Sequence, residues 1–371
     1  MNAKKFRNIF LIFGSLILGC MVYKIGLDII VNNILRTGWW FFAIIGVWIP
    51  IYILNASSWF LIISDRENKG KISFFKTLKL TISGYALNYI SPGGLVGGEP
   101  YRVMELRELV GTHKATSSVI AYAMMHFLSH FFFWLFSILL VLIFLPVDSG
   151  LMITLSIVFA VCITLIFLFF RGYRKGLLVK IFNVLQKMPV IRKWARKFVL
   201  KNEESLKLID EQIAELHNNR RIAFYTSLFL DFMARIVGSL EVFFILTALG
   251  QDVTVIGCII IIGISSLFAN LFFFSPMQLG TREAGFALAL TSLSLPLQLG
   301  VSVSLITRIR ELAWILIGLL LIKIRPAKGR TYKQIVEEEK CIEKKVGLDF
   351  TNEDPAQTKT GDKCIKQNVL S

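Results

Sequence analysis

Apolar windows at about residues 6–23, 39–63, 117–145, 151–170, 222–249 and 297–322 are each long enough to cross a hydrocarbon core of about 30 Å. Inside a bilayer no water is at hand to satisfy peptide N–H and C=O groups, so runs of this kind must close their hydrogen bonds internally, as helices. With 55% hydrophobic residues and 31 phenylalanines in 371 residues, the sequence predicts an all-α integral membrane protein, a polytopic helical bundle.

The formal charge of +16 could be taken for a nucleic-acid surface, but the Lys and Arg cluster beside the apolar windows. Met1–Arg7, Asp65–Lys76, Arg171–Arg221 and the stretch opening Lys323-Ile324-Arg325 are basic, whereas Pro146–Gly150 and Gly250–Thr254 carry no Lys or Arg. Counting the windows places every basic stretch on one side. By the positive-inside rule this is the cytoplasmic side of a multi-pass plasma (inner) membrane protein, with both termini cytoplasmic. Nucleic acid is therefore not expected as a partner.

The N-terminal Lys4, Lys5 and Arg7 could open a signal peptide, but the missing small-residue cleavage site favours an uncleaved first helix. The stretch 171–221 reads as a cytoplasmic basic segment. Lys193, Arg196 and Lys197 beside Trp194 suit a helix on an anionic leaflet, with a solvated loop as the alternative. Residues 326–371 are polar and mixed in charge, which predicts a disordered cytoplasmic tail. Cys20, Cys162 and Cys258 sit in apolar windows and Cys341 and Cys364 in the tail, so neither a disulfide framework nor structural zinc is expected.

Two stretches, 72–113 and 254–296, are ambiguous because each contains a break. The first runs Ser91-Pro92-Gly93-Gly94-Leu95-Val96-Gly97-Gly98-Glu99, the second Ser275-Pro276-Met277-Gln278-Leu279-Gly280-Thr281-Arg282-Glu283, and both fit Ser-Pro-x-x-Leu-x-x-x-Glu. Irregular backbone at membrane depth must be buried in protein or line a wet cavity. The units 39–145 and 222–322 share the order span, break, span, and the extra crossing at 151–170 reverses the second. That predicts two inverted repeats, each with a re-entrant or broken helix, and such paired breaks point to a transporter's binding site. Whether each stretch is a hairpin or a pair of crossings stays open at this stage.

Charge inside a span is a functional candidate, at about 2.5–3.5 kcal/mol per residue on insertion scales. Gly93, Gly94, Gly97, Gly98 and Gly280 permit close backbone approach, and Ser91, Pro92 and Pro276 shape the turns. Arg102 and Arg282 could grip phosphate oxygens at the helix starts. Glu99 and Glu283 could neutralise them or carry a coupling ion, the alternative being helix caps that merely permit burial. Arg308 joins this candidate substrate-binding set because no acid within helical reach precedes it. Asp231 and Arg235, four apart, form a candidate intramembrane ion pair, with Glu241 further along. Arg310 and Glu311 mark a cavity-facing stripe. His126 and His130 have metal-ligand spacing but no third ligand nearby, so hydrogen bonds between helices are preferred to a metal. No cofactor is implied, and no nucleophile elbow, P-loop or HExxH motif supports an enzyme class.

Pro92-Gly93-Gly94, Gly97-Gly98-Glu99-Pro100 and Arg102, followed by Pro276, Gly280 and Glu283, resemble the lysylphosphatidylglycerol synthase transmembrane, or flippase-like, family over about residues 5–325. The resemblance implies a flippase-like transmembrane domain over 1–325, with Gly97, Gly98, Glu99, Arg102, Gly280 and Glu283 in the substrate region. Met277-Gln278 departs from it, where glycines often occur. The full synthases append a soluble aminoacyl-transferase domain, so lysyl transfer is not expected of this chain. The expected function is movement of an anionic or zwitterionic phospholipid, or a polyprenyl-phosphate or glycolipid, either passively or coupled to an ion. The alternatives are an intramembrane enzyme or accessory subunit of glycolipid or polyprenyl-phosphate metabolism, and a small-solute transporter. Self-association is left open.

Overall fold

In the computed structural model of the protein, residues 23, 26–65, 70–90, 97–175, 192–271 and 280–323 are described, with side chains throughout except at 173–175 and 192–205. The first apolar window, both tips (91–96 and 272–279) and the tail 326–371 lie outside the described residues apart from Tyr23. The described residues are helical, without strands. Helix α1 (Leu27–Thr37) and the short α2 (Trp40–Gly46) lead into α3 (Trp48–Ile63), which holds Pro50 in its first turn, where a missing N–H breaks no helical bond. Next come α4 (Phe74–Ile90), α5 (Gly98–Val110) and the long α6 (Thr112–Phe144). Gly111, at φ 81°, ends α5 and opens α6, a backbone state that costs glycine little.

Helix α7 (Ser149–Lys175) starts where the Asp148 carboxylate accepts the Leu151 N–H at 2.7 Å. It is followed by α8 (Arg192–Asn219), α9 (Arg221–Ala248), α10 (Val255–Leu271), α11 (Thr281–Ser292) and α12 (Leu299–Lys323). Gly250, at φ 77°, stops α9. Its N–H donates to the Thr247 carbonyl and that of Gln251 to the Leu246 carbonyl, the paired bonds of a Schellman ending. The basic segment is thus helical over Arg192–Asn219, and in its described half Leu206, Ile209, Ile213 and Leu216 are buried at helical spacing against α6, α7 and α9.

Three stretches, Trp40–Ile63, Thr112–Phe144 and Ser149–Gly172, are long and apolar enough to cross a membrane, and they answer to the windows at 39–63, 117–145 and 151–170. The windows at 222–249 and 297–322 also form single helices, α9 and α12, which are not among those three stretches and which carry charged residues within them. The ambiguous stretches each contain two shorter helices, α4 and α5 in one, α10 and α11 in the other, with the break between them.

Packing follows the apolar faces. Helix α3 lies along α9, α4 along α12, and α10 against both α6 and α11. A core around Trp59, Leu80, Tyr122, Met125, Phe224 and Ile315 joins α3, α4, α6, α9 and α12. A second, around Val242, Ile261, Leu290 and Val303, joins α9 to α12 through α10 and α11. A third, around Phe133, Cys162 and Ile260, ties α6 and α10 to α7, whose surface is otherwise mostly exposed.

Candidate functional site

Between these cores, α3, α4, α6, α9, α10, α11 and α12 enclose a cavity of about 320 Å³. Its polar lining follows from helical spacing. On α9, Asp231, Arg235, Gly238 and Glu241 recur every three or four residues and share one face; His126, His130 and Phe133 do so on α6. The other faces of these helices are apolar, so their charges turn inward, where they can meet partners or water. From Asp231 to Glu241 the axial rise is about 15 Å, so the polar strip is elongated.

One end is built around Arg310 of α12, which is 3% exposed. Its Nε donates to Glu241 Oε1 at 2.8 Å and its Nη2 to Oε2 at 3.1 Å, a two-pronged pairing that only a planar guanidinium makes. The Trp48 indole N–H donates to the same Oε2 at 2.8 Å, and the Arg310 guanidinium lies 3.8 Å from the centre of the Trp48 ring. Beside it, Arg282 of α11 donates to Glu311 Oε1 at 2.7 Å. Arg310 Nη1 is buried and has no partner among the described residues.

The other end is built around Arg235 and Asp231. Arg235 donates to Ser129 Oγ (2.9 Å), to the His126 carbonyl (2.7 Å) and, across 2.8 Å, to His130 Nε2. A guanidinium can only donate, so His130 Nε2 accepts and the ring is neutral with its proton on Nδ1. The expected direct ion pair of Asp231 with Arg235 does not form: every Arg235 bond goes to α6, across the helix interface. Asp231, 1% exposed, instead accepts from Ser58 Oγ of α3 at 3.2 Å, and its other oxygen lies 3.6 Å from His126 Nδ1, beyond hydrogen-bond reach. The Tyr85 hydroxyl is 3.4 Å from the same His126 nitrogen and 3.1 Å from the Tyr122 hydroxyl.

The residues beside the breaks divide. Ser91, Pro92, Gly93, Gly94 and Pro276 lie outside the described residues. Gly97 precedes α5, and the Gly98 N–H donates to Asn88 Oδ1 at 2.7 Å. A Cβ on Gly98 would run into the backbone carbonyl of Gly84, so glycine here lets α5 press against α4. Glu99 accepts from Asn88 Nδ2 at 3.0 Å and Arg102 Nη1 at 3.5 Å. Arg102 is 2% exposed; it bonds the Leu80 and Thr81 carbonyls, and the Trp59, Tyr85 and Tyr122 rings surround it at 5.1–5.5 Å. It is enclosed, and it does not line the cavity.

At the second break, Glu283 Oε2 accepts the Gly280 N–H at 2.8 Å, while Oε1 accepts from Ser304 Oγ (2.9 Å) and Arg308 Nη2 (2.8 Å). Glu283 caps α11 and ties it to α12, and this supplies the acid that Arg308 lacked in its own helix. Of the charged candidates flanking the breaks, Arg282 alone lines the cavity. Asn55, Trp48, Tyr85 and Tyr89 also line it and were not singled out from sequence, because an aromatic or amide within an apolar window gives no separate signal. No cluster of three or more His, Cys, Asp or Glu with metal-ligand geometry occurs among the described residues.

No curated protein and no solved structure matches the chain. The family model described as "Lysylphosphatidylglycerol synthase TM region" matches residues 9–319. That span takes in both halves of the bundle and all the residues of the cavity, and this multi-pass membrane protein, tied by its relatives to membrane lipids, belongs to the family of the lysylphosphatidylglycerol synthase transmembrane region.

Proposed function

We propose that the protein moves an anionic phospholipid head group across the plasma membrane, with the charged cavity as its path. The observation that carries this reading is the cavity itself: a polar strip about 15 Å long inside a bundle whose surface is apolar. Such a strip spans about half of a 30 Å hydrocarbon core. A phosphate would sit against Arg310 Nη1 and Arg282, while the acyl chains stay in lipid.

An inverted-repeat plan with broken helices suits this function, and the packing supports it. Helix α4 of one unit lies on α12 of the other, α10 lies reciprocally on α6, and the two leading helices α3 and α9 pair. The separation of Glu99 from Glu283 equals that of His126 from Arg310, and the latter two both line the cavity. In this reading the residues at the tips (Ser91, Pro92, Gly93, Gly94, Gly97 and Pro276) shape the turns. Glu99, Arg102, Gly280, Glu283 and Arg308 hold the helix ends, and Arg282 faces the substrate. Cytoplasmic termini are supported by the basic segments.

The test is reconstitution of the full chain in sealed vesicles containing acyl-labelled phosphatidylglycerol, with a membrane-impermeant quencher reporting movement between leaflets. Arg310→Gln and Arg282→Gln are expected to slow movement at least about tenfold, the loss of one charge-assisted contact worth about 1.4 kcal/mol. Movement equal to that in protein-free vesicles would end the proposal.

A further inference from the structure

Among the described residues, four acids along the bundle each meet an arginine, and the buried Asp231 does not. Glu241 holds Arg310 at 2.8 Å, Glu311 holds Arg282 at 2.7 Å, Glu283 holds Arg308 at 2.8 Å and Glu99 holds Arg102 at 3.5 Å. Asp231 is as deeply buried as Glu241 and Glu311, yet Oδ1 has no hydrogen-bond partner among the described residues and Oδ2 has a single hydroxyl at 3.2 Å. Arg235, four residues along the same helix, directs its three hydrogen bonds to α6. A buried carboxylate oxygen left without a donor can be satisfied by one that arrives through the cavity it lines.

From these contacts we infer that Asp231 is a proton-binding site that couples head-group movement to the proton gradient. This rests on the transport reading above and adds its energy source. The groups facing Asp231 can be named element by element. Helix α3 offers Ser58 and Asn55, neither titratable. Helix α4 offers Tyr85, and α6 offers Tyr122, His126 and His130. Arg102 of α5 lies behind the two tyrosine rings, α10 presents no charged residue, and Arg310 and Glu311 of α12 lie along the cavity. His126, 3.6 Å away and itself facing the cavity, is the neighbour placed to hand a proton to Oδ1 or take one from it.

The consequence is a change in the cavity's charge. Its arginines (235, 282 and 310) are matched by Asp231, Glu241 and Glu311, so the lining is neutral while Asp231 is ionised. A proton on Asp231 leaves one positive charge in excess, and the cavity then favours an anion. Proton and phosphate therefore bind with positive coupling, and by linkage each raises the other's affinity. The sign is fixed: binding is favoured on the acidic side, release on the alkaline side, and both move in the same direction.

The experiment imposes a pH difference across the same vesicles. Phosphatidylglycerol movement toward the alkaline side is expected to rise several-fold, to at most about tenfold per pH unit for one proton per lipid. Asp231→Asn should make the rate indifferent to the gradient, while Glu283→Gln, an acid paired in the structure, should keep the response. A gradient response that survives in Asp231→Asn overturns the inference and leaves transport standing. Movement absent from every vesicle would instead sink the transport reading, and the proton site is then judged by pH-difference infrared spectra of the purified full chain. A protonated-carboxyl band that disappears in Asp231→Asn supports it, and a band unchanged by that substitution overturns it.

Discussion

Arg310 and Glu241 face each other from α12 and α9, with the Nε–Nη2 edge of the guanidinium engaged at 2.8 and 3.1 Å, under the Trp48 ring. Both side chains are almost wholly buried. Removing one partner leaves a buried charge unmatched, which costs about 3–5 kcal/mol. Glu241→Ala should accordingly lower the thermal midpoint of the detergent-solubilised protein sharply. The double variant Glu241→Leu, Arg310→Met should recover most of that stability but none of the lipid movement, because it rebuilds packing without the phosphate seat.

Arg102 gives the opposite expectation. Enclosed by Trp59, Tyr85 and Tyr122 and bonded to backbone carbonyls, it holds α5 to α4 and α6. Arg102→Lys keeps the charge but loses the planar fork and ring stacking, a loss of about 1–2 kcal/mol. Thermal unfolding should register it, while the relative rates for differently charged lipids in the vesicle assay stay as in the parent protein.

The approach of α5 to α4 depends on a missing methyl group. A Cβ at position 98 meets the Gly84 carbonyl, which is backbone and cannot swing aside. Gly98→Ala should destabilise by about 1–3 kcal/mol through overpacking. Gly46→Ala, where nothing lies within 4 Å of the new atom, should be neutral or stabilise by up to about 1 kcal/mol. Chemical denaturation of the two variants side by side checks the contrast.

Arg220, just before α9, donates to the carbonyls of Leu61 (2.7 Å), Ile62 (3.0 Å) and Ser64 (2.6 Å), capping the end of α3. Lys114 pairs with Asp65 nearby. Arg220→Ala should leave these carbonyls without that cap and weaken the helix end by about 1–3 kcal/mol. Hydrogen exchange measured by mass spectrometry should show faster exchange confined to the end of α3 and the start of α9.

Much of the bundle was legible in the sequence, because helix length and apolar character are local properties. The windows at 39–63, 117–145 and 151–170 correspond to described spans, and the two ambiguous stretches do contain shorter helices on either side of a break. The cavity was legible only in part. Asp231, Arg235, Glu241, Arg310 and Glu311 announced themselves as charges in apolar surroundings, and they line it together. Which charge meets which was not readable, since partners are chosen across helix interfaces. Arg235 turns from Asp231 to α6, and Arg308 finds Glu283 on α11. Trp48 and Tyr85 carry no mark in sequence, being ordinary residues for a membrane helix until a neighbour's charge is placed against them.

The ion pair between α9 and α12 also bears on biogenesis. Asp231, Arg235 and Glu241 on one helix, and Arg308, Arg310 and Glu311 on the other, make each a poor candidate for lone entry into lipid, and neither passes as an apolar span. Glu241, Arg308, Arg310 and Glu311 find their partners only after the helices meet each other and α11. Glu241 therefore meets its arginine only once α12, the last of the described helices, has been made, nearly seventy residues after it.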